Sequence, residues 1–296
     1  YSASYDVYNI VFVNVVKGKD RPYQTNNNQF LTRVGSTNRA LTQGELMRLF
    51  QQTGIFHYDA TGVTGTAIKD LNLAKLDQYF SQYDFDLSSE DNKQRVLSNV
   101  DIMTEEGEVT VAGLLVFGLN PQRWLHFAEI SFAHFEGEEI GSELIDKQGI
   151  SGTIDFQVDS ALSVIRNNMR RSSDIEGAKR VDQESYPEKI FRELLVNAVV
   201  HRNYSISGSR VRIQQFSDRI EFISPGRLPN SVTIEKLSLG VSYAVNPVIL
   251  KFMENQRYID KLGRGLPMVY NAAKKLGKRA LFEEYGEEFK VVLPLE

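Results

Sequence analysis

FRELLVNAVVHRNYSISG, residues 191–208, is the stretch on which the fold of this 296-residue chain turns. Its first half is almost wholly apolar and reads as a buried helix. Within it Glu193, Asn197 and His201 recur at intervals of four, which puts all three on one narrow helical face. A carboxylate, an amide and an imidazole are costly to bury on so apolar a helix unless they bind something. A chemistry that suits them is phosphoryl transfer. A glutamate can polarise a water for attack on phosphorus, and an asparagine one turn later can ligate Mg²⁺ through its side-chain oxygen. The same spacing also fits a plain polar stripe facing solvent, and spacing by itself leaves both readings open.

Working outward, Tyr186-Pro187 sets the start of this helix, since proline is favoured near a helix N-terminus. Downstream, SRVRIQQF (209–216) and RIEFIS (219–224) alternate around Ser217-Asp218 and read as a β-hairpin. Pro225-Gly226 breaks it, and Leu228-Pro229-Asn230 makes a further turn. Asn246-Pro247 opens a helix to about Gln256. Gly263-Arg264-Gly265 precedes a helix over 266–276 that Gly277 ends, and 288–293 is the last strand. Glycines ahead of a helix let backbone N–H groups approach a phosphate; two of them also make an ordinary turn.

Upstream, the apolar run 8–16 and the segment 29–34 read as strands, the second closed by Gly35-Ser36-Thr37. Thr42 with Glu45 three residues on is a capping-box signature for a helix over 43–52. Residues 53–67, rich in Gly and Thr, read as a linker. Helices are expected at 70–82, 91–99 and 154–171, and sheet strands at 108–117 and 126–136. Lys17, Lys19, Arg21, Arg33 and Arg39 stand among Tyr23 and Phe30. Basic groups interleaved with aromatics suit contact with a nucleic-acid backbone; as separate charges on turns they serve solubility.

Composition excludes several classes of function. The chain has no cysteine, which removes disulfides, thiolate zinc sites and cysteine nucleophiles. Its four histidines, His57, His126, His134 and His201, lack ligand spacing, and no HExxH occurs. A net charge of −4, from 34 basic and 38 acidic residues, is less basic than a compact nucleic-acid-binding domain usually shows. DNA contact is therefore expected from a local patch or from residues outside this chain. No run of eighteen apolar residues occurs and the start lacks a signal-peptide pattern, so a cytoplasmic location and no membrane partner are expected. The first residue is not Met, which suggests a fragment. There is no GxxxxGK[ST], hence no P-loop helicase engine, and neither GxSxG nor a GxGxxG in a βαβ setting.

From residue 186 onward the chain resembles a group of bacterial and archaeal proteins described as RecG-helicase-related or as transcriptional regulators. These join a Schlafen-type AlbA (divergent AAA-like) domain to a C-terminal ATPase module of the GHKL type. The resemblance rests on Tyr186-Pro187, Arg192-Glu193, Asn197-Ala198, the run from His201 to Ile206 and Gly208-Ser209, with Asn203 where Asp is usual. It continues through Asp218-Arg219-Ile220-Glu221, Ser224-Pro225-Gly226, Leu228-Pro229, Asn246-Pro247, Tyr258-Ile259-Asp260 and Gly263-Arg264-Gly265. Upstream, Arg21-Pro22-Tyr23 and the stretch 33–39 are similar to the second half of the AlbA domain, and 110–118 and 135–137 to its middle region.

The resemblance implies an α/β (α+β) chain: part of an AlbA-like domain over 1–58, a connecting α/β region over 59–172, and a GHKL-like α/β sandwich over 173–296. It implies a DNA-binding transcriptional regulator whose C-terminal module binds ATP and Mg²⁺, with weak Mg²⁺-dependent ATPase activity and self-association; the alternative is a non-catalytic scaffold that binds no nucleotide. In the first case Glu193 orients the attacking water, Asn197 holds Mg²⁺, and Arg202 with Gly263, Arg264 and Gly265 meets phosphate. His201 buttresses the helix end, and Lys17, Lys19, Arg21, Arg33 and Arg39 contact DNA. Where a GHKL protein carries its adenine-reading DxGxG box, this chain has Ser224-Pro225-Gly226.

Overall fold

Thr42 and Glu45 form the expected reciprocal cap. The Thr42 hydroxyl accepts from the Glu45 amide, and the Glu45 carboxylate accepts from the Thr42 amide at 2.8 Å. They start a helix (α1) at Gln43–Thr53, and Gly54 ends it in the left-handed region at φ +75°. The computed structural model describes residues 2–5, 8–11, 13, 22–175, 186–229, 232–237, 240, 243–259 and 265–295. Before α1 stand two antiparallel hairpins: Ser2–Tyr5 (β1) with Tyr8–Val11 (β2), and Leu31–Val34 (β3) with Thr37–Ala40 (β4).

Leu73–Ser81 (α2) and Lys93–Ser98 (α3) fall where helices are expected, each capped by an asparagine side chain. The apolar run 108–117, expected as a strand, is instead a helix, Val111–Phe117 (α4). The Thr110 hydroxyl accepts the Gly113 amide at 2.9 Å and starts it. All seven of its residues are buried, so no polar face reveals the helical period. Gly113 is needed there, because a Cβ would lie 2.2 Å from the Ile102 carbonyl oxygen. The 53–67 stretch is likewise no linker. It holds a 3₁₀ turn at Tyr58–Ala60, with Asp59 fully buried, and residues 62 and 63 bond to the segment around Val109.

A six-stranded sheet organises the rest. Its strands are Ile130–Phe135 (β5), Leu144–Ile150 (β6), Val211–Gln215 (β7), Arg219–Pro225 (β8), Leu281–Tyr285 (β9) and Glu288–Pro294 (β10). They run in the order β6-β5-β7-β8-β10-β9, with β5 parallel to β7 and the other neighbours antiparallel. The sheet therefore takes strands from both sides of residue 173, where the resemblance draws its boundary. Helices Ile154–Ile175 (α5) and Glu188–Val200 (α6) pack on each other, and α5 also contacts β5 and β6. Ile234–Leu237 (α7), Pro247–Asn255 (α8) and Gly265–Lys275 (α9) follow, α9 against α6 and α8 against α4. Among the described residues no helix is long and apolar enough to cross a membrane.

Candidate functional site

Of the four carbonyl oxygens in the last turn of α6, the helix's own C-cap amide closes the first and residues packed around it take up the other three. The His201 amide donates to the Asn197 carbonyl at 3.0 Å. The Ser224 hydroxyl donates to Ala198 at 2.7 Å, the Tyr204 phenol to Val199 at 2.8 Å, and Asn246 Nδ2 to Val200 at 2.7 Å. Asn246 Nδ2 also reaches the Arg202 carbonyl at 2.8 Å. Ser224, Tyr204 and Asn246 are all buried, where an unmade hydrogen bond costs about 1–3 kcal/mol. Burial pushes the Tyr204 phenol far above its usual range, so it stays a donor.

One turn earlier lies the Glu193–Asn197 pair. Asn197 Nδ2 donates to the Glu193 carbonyl and to Glu193 Oε1, each at 2.7 Å. Both bonds use the amide nitrogen, so among the described residues Asn197 Oδ1 keeps its acceptor capacity. The Glu193 carboxylate is seated against the start of α9: a Cβ on Gly265 would lie 1.6 Å from Glu193 Oε1 and 2.3 Å from its Cδ. Glycine at 265 is thus what admits this carboxylate.

These residues face a cleft of about 360 Å³, within the size range of small-molecule sites. Phe222 and Ser224 of β8 and Phe289 and Val291 of β10 line it from the sheet. Leu250 and Glu254 of α8, Ile259 and the first residues of α9 line it from the helices. Residues 226–229 and Tyr243 complete the rim. Gly226 has φ +132° and packs on Asn203, whose amide donates to the Pro225 carbonyl at 2.7 Å. His201 also borders the cleft, and burial pulls its imidazole down to about 4, so it is neutral at physiological pH.

The other expected site residues lie elsewhere. Arg202 is buried away from the cleft. Its Nη2 donates to the carbonyls of Ile206 and Ser209 at 2.9 and 2.8 Å, and its guanidinium stacks 4.7 Å from the centre of the Tyr204 ring. Asn203 closes the same loop, its side-chain oxygen accepting from the Ser205 amide and hydroxyl. Arg33 bonds within its own hairpin, to Gly35 and Asn38. Arg39 grips Glu45 through two bonds of 2.8 and 2.6 Å. That ion pair, with the Thr42 cap, holds Glu45 down at about 2. Gly263, Arg264, Lys17, Lys19 and Arg21 lie outside the described residues. Among the described residues no group of three acidic or histidine side chains could hold a metal.

Sequence reasoning missed Asp59, Tyr204, Tyr243 and the roles of Ser224 and Asn246. Asn246-Pro247 opens α8 as expected; what the sequence does not show is that the Asn246 side chain turns away from α8 to cap the end of α6.

The cleft is framed by the six-stranded sheet and by α6, α8 and α9, and the C-terminal part of the chain is similar to a family of ATPase-like domains. Residues 208–293 match the family described as "Putative ATP-dependent DNA helicase recG C-terminal". The match runs from just before β7 to β10 and leaves α6 outside. Over 93% of its length the chain superposes, with a TM-score of 0.57 and 18% identity, on the crystal structure of the DIP2311 protein from Corynebacterium diphtheriae. That likeness shows a shared fold, and the chain spans 54% of that protein's length. Among curated proteins none matches the chain significantly.

Proposed function

We propose that the cleft binds a nucleoside triphosphate, with ATP the expected ligand and Mg²⁺ entering with it, and that the chain belongs to a DNA-associated regulator. The observation that carries this reading is the Glu193–Asn197 pair. The amide nitrogen of Asn197 is fixed on Glu193, so its oxygen is turned to accept, on the wall of an apolar cleft beside a helix N-terminus. Mg²⁺ needs oxygen ligands and commonly takes them from phosphates plus one or two protein groups. A single amide oxygen fits that pattern when the phosphates arrive with the metal. The start of α9, against which the Glu193 carboxylate is seated at Gly265, is a helix N-terminus of the kind that attracts an anion. The family match over 208–293 supports an ATPase-like fold for the sheet and α9 side of the cleft.

The seat of Glu193 favours binding over rapid hydrolysis. Its carboxylate is bonded to Asn197 and packed on Gly265, so orienting a water would require it to leave that seat. We therefore read the module as a nucleotide sensor with slow turnover. DNA is the proposed partner of the basic strip at Lys17, Lys19, Arg21 and Arg33; Arg39 is neutralised by Glu45.

The test is a titration of the chain with labelled ATP, with and without Mg²⁺, repeated on Asn197→Ala. Saturable Mg²⁺-dependent binding that drops at least tenfold in the variant is expected. No saturation at millimolar ATP overturns the reading. For DNA, duplex affinity should fall steeply as salt rises, and salt-insensitive binding would contradict the basic-strip assignment.

A further inference from the structure

Asp59 is fully buried yet belongs neither to the sheet nor to the cleft. Its Oδ2 accepts the amides of Val248 and Ile249 at 2.8 and 3.0 Å. These are the first helical N–H groups of α8, since Pro247 at the first position has none. The residue that should cap α8, Asn246, does not do so with its side chain; its amide is turned to the end of α6, on the Val200 and Arg202 carbonyls. Asp59 therefore caps α8 from 189 residues away in sequence, while the residue next to Pro247 caps α6. The two helices that wall the cleft are fastened through one junction, and Asp59 holds its far side.

The segment that carries Asp59 touches the site again on either side. The Ser205 hydroxyl, in the loop after α6, lies 3.0 Å from the side-chain amide of Gln51 in α1. Tyr243, on the cleft rim, sets its hydroxyl against Gly54, where a Cβ would lie 1.9 Å away. Arg48 of α1 pairs with Glu287 at 3.0 Å, beside Glu288 at the head of β10. Three contacts and one buried cap thus join residues 48–59 to the start of α8, the loop after α6, the rim of the cleft and the turn ahead of β10.

We propose that Asp59 is a positioning residue for the cleft, through which residues 48–59 set the relative placement of α6 and α8. The consequence for ligand affinity rests on the nucleotide-binding reading above; the mechanical coupling does not. Any rearrangement upstream of residue 62 that withdraws the Asp59 carboxylate frees the start of α8, and with it Asn246 and the end of α6. The region ahead of the module then controls the cleft without entering it.

The full chain is compared with Asp59→Ala and Asp59→Asn by amide hydrogen exchange in peptides covering 197–202 and 247–255, together with ATP–Mg²⁺ titration. Loss of a capping side chain is expected to speed exchange about tenfold in both peptides of the alanine variant and to weaken ATP by a similar factor. Asparagine keeps an acceptor oxygen and should restore most of the protection and affinity. Faster exchange in 247–255 alone, with 197–202 unchanged, overturns the coupling, as does an asparagine variant no better than alanine. If the wild type binds no ATP, the nucleotide reading falls while the two exchange profiles still decide the coupling. If Asp59→Ala does not fold, Asp59→Glu displaces the carboxylate by one methylene; both peptides should loosen together, and loosening of one alone refutes the proposal.

Discussion

Replacing Gly265 by alanine tests the geometry of the cleft wall most directly. The added methyl would sit 1.6 Å from Glu193 Oε1 and 3.1 Å from its Cγ, so the carboxylate must leave its seat and the 2.7 Å bond from Asn197 Nδ2 is lost. A hydrogen bond to a charged group contributes about 1.5–3 kcal/mol, and the shift itself adds little, because the displaced atoms are the far end of a flexible, half-buried side chain. Alanine returns a fraction of about 1 kcal/mol by its better helix propensity, less at a helix's first residue than in its interior. Gly265→Ala should therefore destabilise the chain by about 1–3 kcal/mol. In a Glu193→Ala background the obstructing carboxylate is gone, and the same change should be neutral or slightly stabilising. A double-mutant cycle read by urea unfolding at constant m gives a coupling of at least about 1 kcal/mol. Any other contact that Glu193 loses on displacement enters the same coupling. Equal effects of Gly265→Ala in both backgrounds, within about 0.5 kcal/mol, would refute the seating of Glu193 against α9.

Two further outcomes follow from the same wall. Ser224→Asp should destabilise by about 2–4 kcal/mol, because a nearly buried carboxylate cannot donate to the Ala198 carbonyl; a Ser224→Asp variant as stable as wild type in urea would remove Ser224 from the helix cap. His201 is held down at about 4 by burial, against an ordinary value of 6.5. Above pH 6.5 both folded and unfolded states are neutral there. As pH falls from 6.5 towards 4 the unfolded state takes up the proton first, and up to about 3 kcal/mol of stability is lost across that window. His201→Gln should flatten that part of the stability profile, and an unchanged acid limb would refute the assignment.

What the sequence disclosed depended on whether each feature was local. The Thr42–Glu45 box lies within four residues, and it places α1 correctly because both partners of each bond are read together. The β7–β8 hairpin is equally local. The run 108–117 misled because a helix buried on all sides shows no period, and apolar β-branched residues then read as a strand. Strands β6 and β9 were missed for the opposite reason. Both are sheet edges with mostly exposed side chains, so no apolar alternation marks them. Asp59 sits in His-Tyr-Asp-Ala-Thr-Gly, a loop-like local composition, and its partners are the amides of Val248 and Ile249. No short window can connect them.

The same distinction sorts the residues of the site. The meeting of Glu193 and Asn197 is legible from a spacing of four, because both sit on one helix. The roles of Tyr204, Ser224 and Asn246 are not, since the carbonyls they satisfy belong to α6 while they stand on a loop, a strand and a helix start. Yet these three belong to the motifs by which the chain resembles the RecG-related group, and each is used in ending a helix. A buried carbonyl must be paired whether or not a ligand ever arrives. That part of the signature is therefore evidence for the fold, and it would stand unchanged in a protein that bound nothing. The functional reading rests on the remainder: an asparagine oxygen left to accept, and a glycine that lets a carboxylate approach the head of α9. Altering Asn197 or Gly265 should change ligand binding more than it changes the end of α6, whereas altering Tyr204, Ser224 or Asn246 should unsettle the helix first and the ligand only as a consequence.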